Sequence, residues 1–291
     1  MKPALFNYAA PEKLDDALAL LAQSTDAKLL AGGQSLVPMM NLRLAQPAAL
    51  LDLNRIAALA EISITAQEIR IGAMTRHRAI ETSADLRAAM PILPRVASEI
   101  GHLAIRNRGT IGGSLVHADP AAEWLLAAVA LDASIVMRST RDERVVPARD
   151  FFVAPMTTAI DADEILTEIR FPRPAGRVVY GFAEMCRRHG DFAIAAALSR
   201  AVFDASGRLA KIQLCIGAAH PVPLMVTGLD SLIRNRQQDD LRSAARMASE
   251  AVEPSSDIHA SEDFRRRITQ TLAYRALAEC LAETEGARRH A

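Results

Sequence analysis

The sequence predicts an α+β protein built as two domains, residues 1–175 and 176–291. Three observations carry that prediction. The chain is 291 residues long, more than one typical domain needs and comfortable for two. Apolar residues switch repeatedly between a spacing of two and a spacing near 3.6, so strands and helices are interleaved through the first part. The stretch Pro172-Arg173-Pro174-Ala175-Gly176 is the strongest linker signal in the chain. Beyond it strand patterns come first and helical patterns last.

Pro11-Glu12 opens an amphipathic helix through Leu21, with Leu14, Leu18 and Leu21 on one face. Lys28-Leu29-Leu30 reads as a short strand running into Ala31-Gly32-Gly33-Gln34-Ser35-Leu36, and Ala49 to Leu53 as a second strand before Asn54. Ile62-Ser63-Ile64 and Ile69-Arg70-Ile71 alternate apolar and polar residues across a turn, the pattern of a hairpin. Thr75 to Glu81 and Pro94 to Ile100 read as helices. From Leu125 to Leu131 the chain is apolar nearly all round, which marks a buried helix. Ser134 to Met137, Arg144 to Val146 and Ile165 to Phe171 follow as strands. After the linker come strands over Val178 to Met185, Ile194 to Phe203 and Leu209 to Ile216, with Asp204-Ala205-Ser206-Gly207 as a hairpin turn. One terminal helix starts near Asp239. Another starts at Ser261, has Glu262 and Asp263 in its first turn, and carries Phe264, Ile268, Leu272 and Leu281 on one face.

Bulk composition narrows the function classes. Lys plus Arg and Asp plus Glu are both 34, so the formal net charge is zero and no excess of positive charge serves a nucleic-acid partner. No apolar run reaches the roughly twenty residues of a transmembrane helix, and the N-terminus shows no secretory signal, so the expectation is a cytoplasmic protein. Cys186, Cys215 and Cys280 are far apart and lack metal-knuckle spacing; they read as buried thiols.

Two loops stand out, Ala31-Gly32-Gly33-Gln34-Ser35-Leu36 and Thr110-Ile111-Gly112-Gly113-Ser114-Leu115. Each sets a glycine pair beside a polar residue near a strand end. Glycine lets an anion approach the backbone, successive N–H groups can converge on it, and hydroxyls add donors. Two such loops suit the two ends of a diphosphate, although neither is a Rossmann or P-loop fingerprint. Just downstream, His117, Asp119 and Glu123 have spacing that a metal would accept, and Ser114, His117 and Asp119 contain the elements of a nucleophilic relay. Asp119-Pro120 also reads as the N-cap and first residue of the buried helix, with Glu123 in its first turn.

Read together, AGGQSLVPMMNLRLAQP, LLDLN, IRNRGTIGGSLVHADPAAEW, ILTEIRFP and CRRHGDFAIAAAL resemble the FAD-binding medium subunit of molybdenum hydroxylases, the carbon monoxide dehydrogenase and xanthine dehydrogenase relatives. The resemblance runs in order over at least residues 28–200. It implies a two-subdomain FAD-binding fold, vanillyl-alcohol-oxidase-like (PCMH-like), followed by a C-terminal sheet-plus-helices flavoprotein domain. It places FAD contacts on Ala31, Gly32, Gly33, Gln34, Ser35 and Leu36, with Lys28 lending charge, and on Thr110, Ile111, Gly112, Gly113 and Ser114. Glu123 stands where the family carries a cofactor-binding acidic residue, usually aspartate. Leu166 and Phe192 match an apolar and an aromatic flavin neighbour. Some members have a lysine near the flavin where this chain has Ala183 and Glu184, so that cation is not available here.

The resemblance further implies an electron-transfer subunit with no catalytic residue of its own. Its FAD takes electrons from the [2Fe-2S] clusters of a small subunit after substrate is hydroxylated at a molybdopterin-binding large subunit, in a heterohexamer of two heterotrimers. A stand-alone FAD oxidase or reductase with its own substrate pocket is the alternative.

Overall fold

The computed structural model describes residues 2–232 and 237–288. Strands β1 (Asn7–Ala9), β2 (Ala27–Leu30) and β3 (Ala49–Asp52) form a small parallel sheet in the order β1-β3-β2. Parallel neighbours need crossovers, which helices α1 (Leu14–Ala22) and α2 (Leu36–Asn41) supply. The apolar face of α1 does what its spacing predicts: Leu18 and Leu21 are buried against Leu51, Leu53, Ile56 and Leu59. Strand β1 and helix α2 are additions to the sequence reading; β1 spans three residues and is mostly exposed, too short to show a period.

The chain then forms the predicted hairpin, β4 (Ile62–Ile64) with β5 (Glu68–Gly72). Six helices follow: α3 (His77–Thr82), α4 (Ala84–Ala89), α5 (Ile92–Glu99), α6 (Leu103–Arg106), α7 (Ile111–His117) and α8 (Glu123–Ala130). Strands β6 (Ser134–Arg138), β7 (Glu143–Pro147) and β10 (Ile165–Pro172) complete an antiparallel sheet ordered β4-β5-β10-β6-β7. A short helix α9 (Ala148–Phe151) and the β8 (Phe152–Ala154) and β9 (Thr157–Thr158) pair fill the connection. Helix α8 is buried at every residue, as its all-round apolarity requires.

After Pro172 a third sheet runs β11-β12-β13-β14, all antiparallel, from β11 (Arg177–Cys186), β12 (Ala193–Phe203), β13 (Leu209–Gly217) and β14 (Leu224–Val226). Its central strand AIAAALSRAVF is apolar nearly throughout because both faces are covered. Ala193, Ala196 and Leu198 join the core around α8, while Ala195, Ala197 and Ala201 face α11 (Gln238–Ala251) and α12 (Glu262–Arg288). A short helix α10 (Leu229–Leu232) precedes α11. Close approach is built in at Gly181, where a Cβ would sit 1.9 Å from the Ala276 carbonyl oxygen. Buried Arg200 donates to the Leu131 carbonyl (3.2 Å) and pairs with Asp132, fastening this sheet to the end of α8. No helix among the described residues is long and apolar enough to cross a membrane.

Three local expectations are corrected. Thr110-Ser114 is not a loop at a strand end but the first turn of α7, with the Thr110 hydroxyl accepting from the Gly113 amide. Asp119 and Pro120 do not start α8; Asp119 accepts from the Ala121 amide in a local turn, and the helix begins at Glu123 behind Ala122. The competing side-chain turn won over the capping geometry. Of the thiols, Cys215 and Cys280 are buried, but Cys186 is only partly so.

Candidate functional site

The first glycine loop leaves the carboxyl end of β2, beside the carboxyl end of β3, the edge where open parallel sheets hold ligands. Gly33 has φ +73°, the left-handed region that glycine enters without penalty. Gly32 is required for a different reason. A Cβ there would lie 2.5 Å from the Arg108 carbonyl oxygen and 2.6 Å from Gly109 Cα. Five successive amides, Gly32 through Leu36, donate to no described residue. Gln34 turns its side-chain amide back onto the Gly32 carbonyl at 3.1 Å. The loop therefore presents a run of unspent N–H donors, a chemistry suited to phosphate oxygens.

The second glycine pair lies against the first. A Cβ on Gly113 would be 3.3 Å from Ala31 Cβ, and one on Gly112 would be 2.5 Å from Ala73 Cβ. Its amides are already engaged: Ile111 donates to Thr75 O (3.1 Å), Gly112 to Ala73 O (2.9 Å) and Ser114 to Thr110 O (3.1 Å). The two loops resemble each other in sequence but divide the work. The first supplies donors; the second supplies a wall thin enough to come close, with the Ser114 hydroxyl free of any described partner.

Residues not singled out in the sequence join the loops. Asn54 donates to the Ala31 carbonyl at 2.9 Å, and the Arg76 guanidinium binds both Asn54 Oδ1 and the Arg108 carbonyl. Asp52 holds Asn54 by accepting from its backbone N–H at 2.9 Å and accepts a hydrogen bond from the Tyr8 hydroxyl at 2.6 Å. The imidazole of His77 backs Gly109, whose Cβ would meet it at 2.7 Å, while His77 Nδ1 accepts from Trp124 Nε1 at 3.0 Å. Burial pushes the His77 pKa down to about 3, so the ring is neutral and Nδ1 is a dependable acceptor. The fragment LLDLN, part of the family resemblance, contains Asp52 and Asn54 but gave them no role; Arg76 and His77 carried no sequence signal.

Glu123 is 8% exposed at the first position of α8. Burial, then Glu99 and Asp119, push its carboxyl up to about 7. Across the seam on β11, burial, then Glu123 and Glu99, push Glu184 up to about 9, and Glu184 Oε2 is buried with no hydrogen-bond partner among the described residues. The charge of Glu123 therefore bears on Glu184, and the two titrations are not independent. Phe192 is 70% exposed at the end of the β11–β12 loop, which docks through Gly190 (φ +87°, a Cβ 2.5 Å from His102 Nδ1). Leu166 is buried in the central core, and Lys28 is an exposed residue of β2 whose ammonium has no hydrogen-bond or ion-pair partner among the described residues. Among the described residues, no three His, Cys, Asp or Glu side chains group so as to hold a metal ion, and His117 lies in the last turn of α7.

Comparison with known proteins bears on this arrangement. Residues 4–174 match the family model for the FAD binding domain in molybdopterin dehydrogenase, and residues 180–280 match that for the CO dehydrogenase flavoprotein C-terminal domain. The chain is 36% identical over 284 residues to the 6-hydroxypseudooxynicotine dehydrogenase complex subunit alpha of Paenarthrobacter nicotinovorans, covering 97% of this chain and 96% of the relative. It is 34% identical over 281 residues to the carbon monoxide dehydrogenase medium chain of Hydrogenophaga pseudoflava, covering 95% and 97%. Among solved structures, it superimposes on the quinoline 2-oxidoreductase of Pseudomonas putida 86 with a TM-score of 0.92 at 34% identity, covering 99% of both chains. The carbon monoxide dehydrogenase of Hydrogenophaga pseudoflava gives the same TM-score at 33% identity, covering 97% of this chain and 99% of that one.

Proposed function

The chain belongs to the FAD-binding medium subunits of the molybdopterin dehydrogenases, and from that membership we propose that it is the electron-transfer subunit of such a complex. In this reading it takes electrons from the [2Fe-2S] clusters of a small partner and passes them to an external acceptor. A large molybdopterin-binding subunit performs the hydroxylation, and two heterotrimers form a heterohexamer. The FAD-binding domain spans residues 1–175 and the C-terminal domain 176–291.

One observation carries the proposal: two glycine loops eighty residues of chain apart interlock where Gly32 leaves no room for a Cβ, and the first keeps five amides, Gly32 through Leu36, that donate to no described residue. The cofactor, when bound, supplies the one- and two-electron chemistry. The protein supplies binding, orientation and exclusion of water. The amides of Gly32, Gly33, Gln34, Ser35 and Leu36 donate to the diphosphate. Thr110, Ile111, Gly112, Gly113 and Ser114 form the opposing wall, where the Ser114 hydroxyl adds a donor. Glu123 offers a buried carboxyl to the cofactor's hydroxyl groups, and Leu166 and Phe192 flank the flavin ring, Phe192 from a loop exposed enough to cover it. Lys28, an exposed residue of β2 three positions before Ala31, adds long-range charge.

Purification tests the proposal directly. The chain isolated from its own cell should carry FAD and co-purify with a molybdenum-containing large subunit and an iron-containing small one. Its flavin should be reduced by substrate only in their presence. Turnover of a small substrate by the isolated chain would instead show a stand-alone oxidase or reductase, and a reconstituted chain with no flavin absorbance would overturn both readings.

A further inference from the structure

Arg76 is unusual among the arginines of this protein. It is half-buried at the junction of β5 and α3, its backbone bridges to Thr110, and its guanidinium spans the two glycine loops. One branch binds Asn54 Oδ1, and Asn54 in turn holds the Ala31 carbonyl of the first loop at 2.9 Å. The other branch binds the Arg108 carbonyl, the same oxygen that leaves no room for a Cβ on Gly32. The guanidinium is thus linked through Asn54 to the residue before the unspent amides, and through the Arg108 carbonyl to the backbone packed against Gly32. Neither Arg76 nor Arg108 forms an ion pair with a described carboxylate, whereas Arg106, two residues from Arg108, pairs with Glu81 at 2.8 Å. Asp52 is the acid whose charge reaches Arg76, and its oxygens already receive the Tyr8 hydroxyl and the Asn54 amide. A half-buried cation satisfied only by neutral oxygens retains a demand for an anion.

We propose that Arg76 has two roles toward the cofactor: its planar fork locks the two glycine loops together, and its uncompensated charge attracts the diphosphate to the amides of the first loop. The proposal rests on the cradle reading above. The fork matters because a guanidinium makes two directed bonds from one plane, which an ammonium cannot reproduce. The charge matters because an exposed phosphate meets it across solvent, so its contribution is sensitive to salt.

The two roles separate in one experiment on the full chain stripped of flavin. FAD affinity is measured by quenching of flavin fluorescence at low and high salt for wild type, Arg76→Gln, Arg76→Lys and the exposed control Arg78→Gln, with thermal unfolding of each apoprotein beside it. Arg76→Gln should weaken FAD binding at least tenfold at low salt and lose most of the salt dependence that wild type shows. Arg76→Lys should keep the salt dependence but bind several-fold more weakly than wild type, the loss belonging to the fork. Arg78→Gln should match wild type. Arg76→Gln binding FAD within twofold of wild type overturns the proposal, as does a weakening that leaves the salt dependence intact, which would make Arg76 structural only. Wild type that binds no FAD refutes the cradle reading itself, and the role of Arg76 with it.

Discussion

Replacing Gly32 by alanine probes the join between the loops with one methyl group. The new Cβ would stand 2.5 Å from the Arg108 carbonyl oxygen, 2.6 Å from Gly109 Cα and 3.0 Å from the Arg108 carbonyl carbon. Ordinary contact begins near 3.4 Å, so the loops must part by about 0.9 Å (3.4 less 2.5). All three obstructing atoms are backbone and cannot rotate away. Retreat is blocked behind them, because His77 backs Gly109 within 2.7 Å of where its own Cβ would be, and Asn54 holds Ala31 from the other side. Overpacking of this kind costs about 1–3 kcal/mol of stability. A displacement near 1 Å also stretches the amide-to-phosphate hydrogen bonds beyond useful length, and losing two charge-assisted bonds at about 1.5 kcal/mol each removes about 3 kcal/mol of binding. That corresponds to about a hundredfold in Kd. The assay is fluorescence titration of flavin-free protein with FAD, alongside thermal unfolding. Gly207→Ala is the control: its φ of +74° imposes a backbone strain that Gly32 does not carry, but a Cβ there meets nothing within 4 Å and lies in a distant hairpin turn. Gly207→Ala should lower stability slightly and leave FAD affinity unchanged. If Gly32→Ala binds FAD within twofold of wild type, the loops are not held as close as described and the reasoning fails.

Gly181→Ala should destabilise the protein by about 3 kcal/mol or more without touching the cradle, since its Cβ would overlap the Ala276 carbonyl oxygen at 1.9 Å; chemical unfolding reads this, and a loss under 1 kcal/mol would mean that α12 rides loosely on β11. His77 is held neutral down to about 3, against an ordinary value of 6.5, so the unfolded chain binds its proton first. Its contribution is present above pH 6.5 and is lost as pH falls below it, by up to about 1.4 kcal/mol per pH unit, and His77→Gln should remove that part of the acid decline measured by urea unfolding. Glu123 and Glu184 have the opposite sign. Their raised values, about 7 and about 9, give stability that is complete below 4.5 and is lost as pH rises through them. The double variant Glu123→Gln with Glu184→Gln should therefore flatten the alkaline limb of the stability profile; an unchanged limb would show that the two carboxyls are ionised and solvated at the seam.

Strands and buried helices were legible where burial writes a period into the chain. The all-apolar run after Trp124 became the enclosed helix α8, and the continuous apolar stretch of β12 became a strand covered on both faces. Elements too short to show a period were not legible: β1 has three residues, and α7 was hidden inside a glycine-rich motif that looks like a loop. Within the site, the two glycine pairs and Glu123 were visible as residue types with a known chemistry. Arg76 was not, because nothing distinguishes it from the other arginines until Asn54 and Arg108 are brought to either side of it.

By itself, the sequence determined the alternation of elements, the two glycine pairs where backbone can come close without a Cβ, and, through its ordered motifs, the family. Those properties are local or are carried by residue identity. Tertiary structure decided which glycine pair keeps its amides. Both pairs could present donors in isolation, but in the second pair the Ala73 carbonyl takes the Gly112 N–H and the Thr110 hydroxyl takes the Gly113 N–H, while the Arg108 carbonyl packed against Gly32 takes no N–H from the first pair. Tertiary structure also decided that Glu123 bears on Glu184 across 61 residues of sequence, and that an arginine with no ion-pair partner among the described residues stands between the loops. Hydrogen-bond partners and neighbouring charges are properties of what the fold brings together, and no spacing along the chain encodes them.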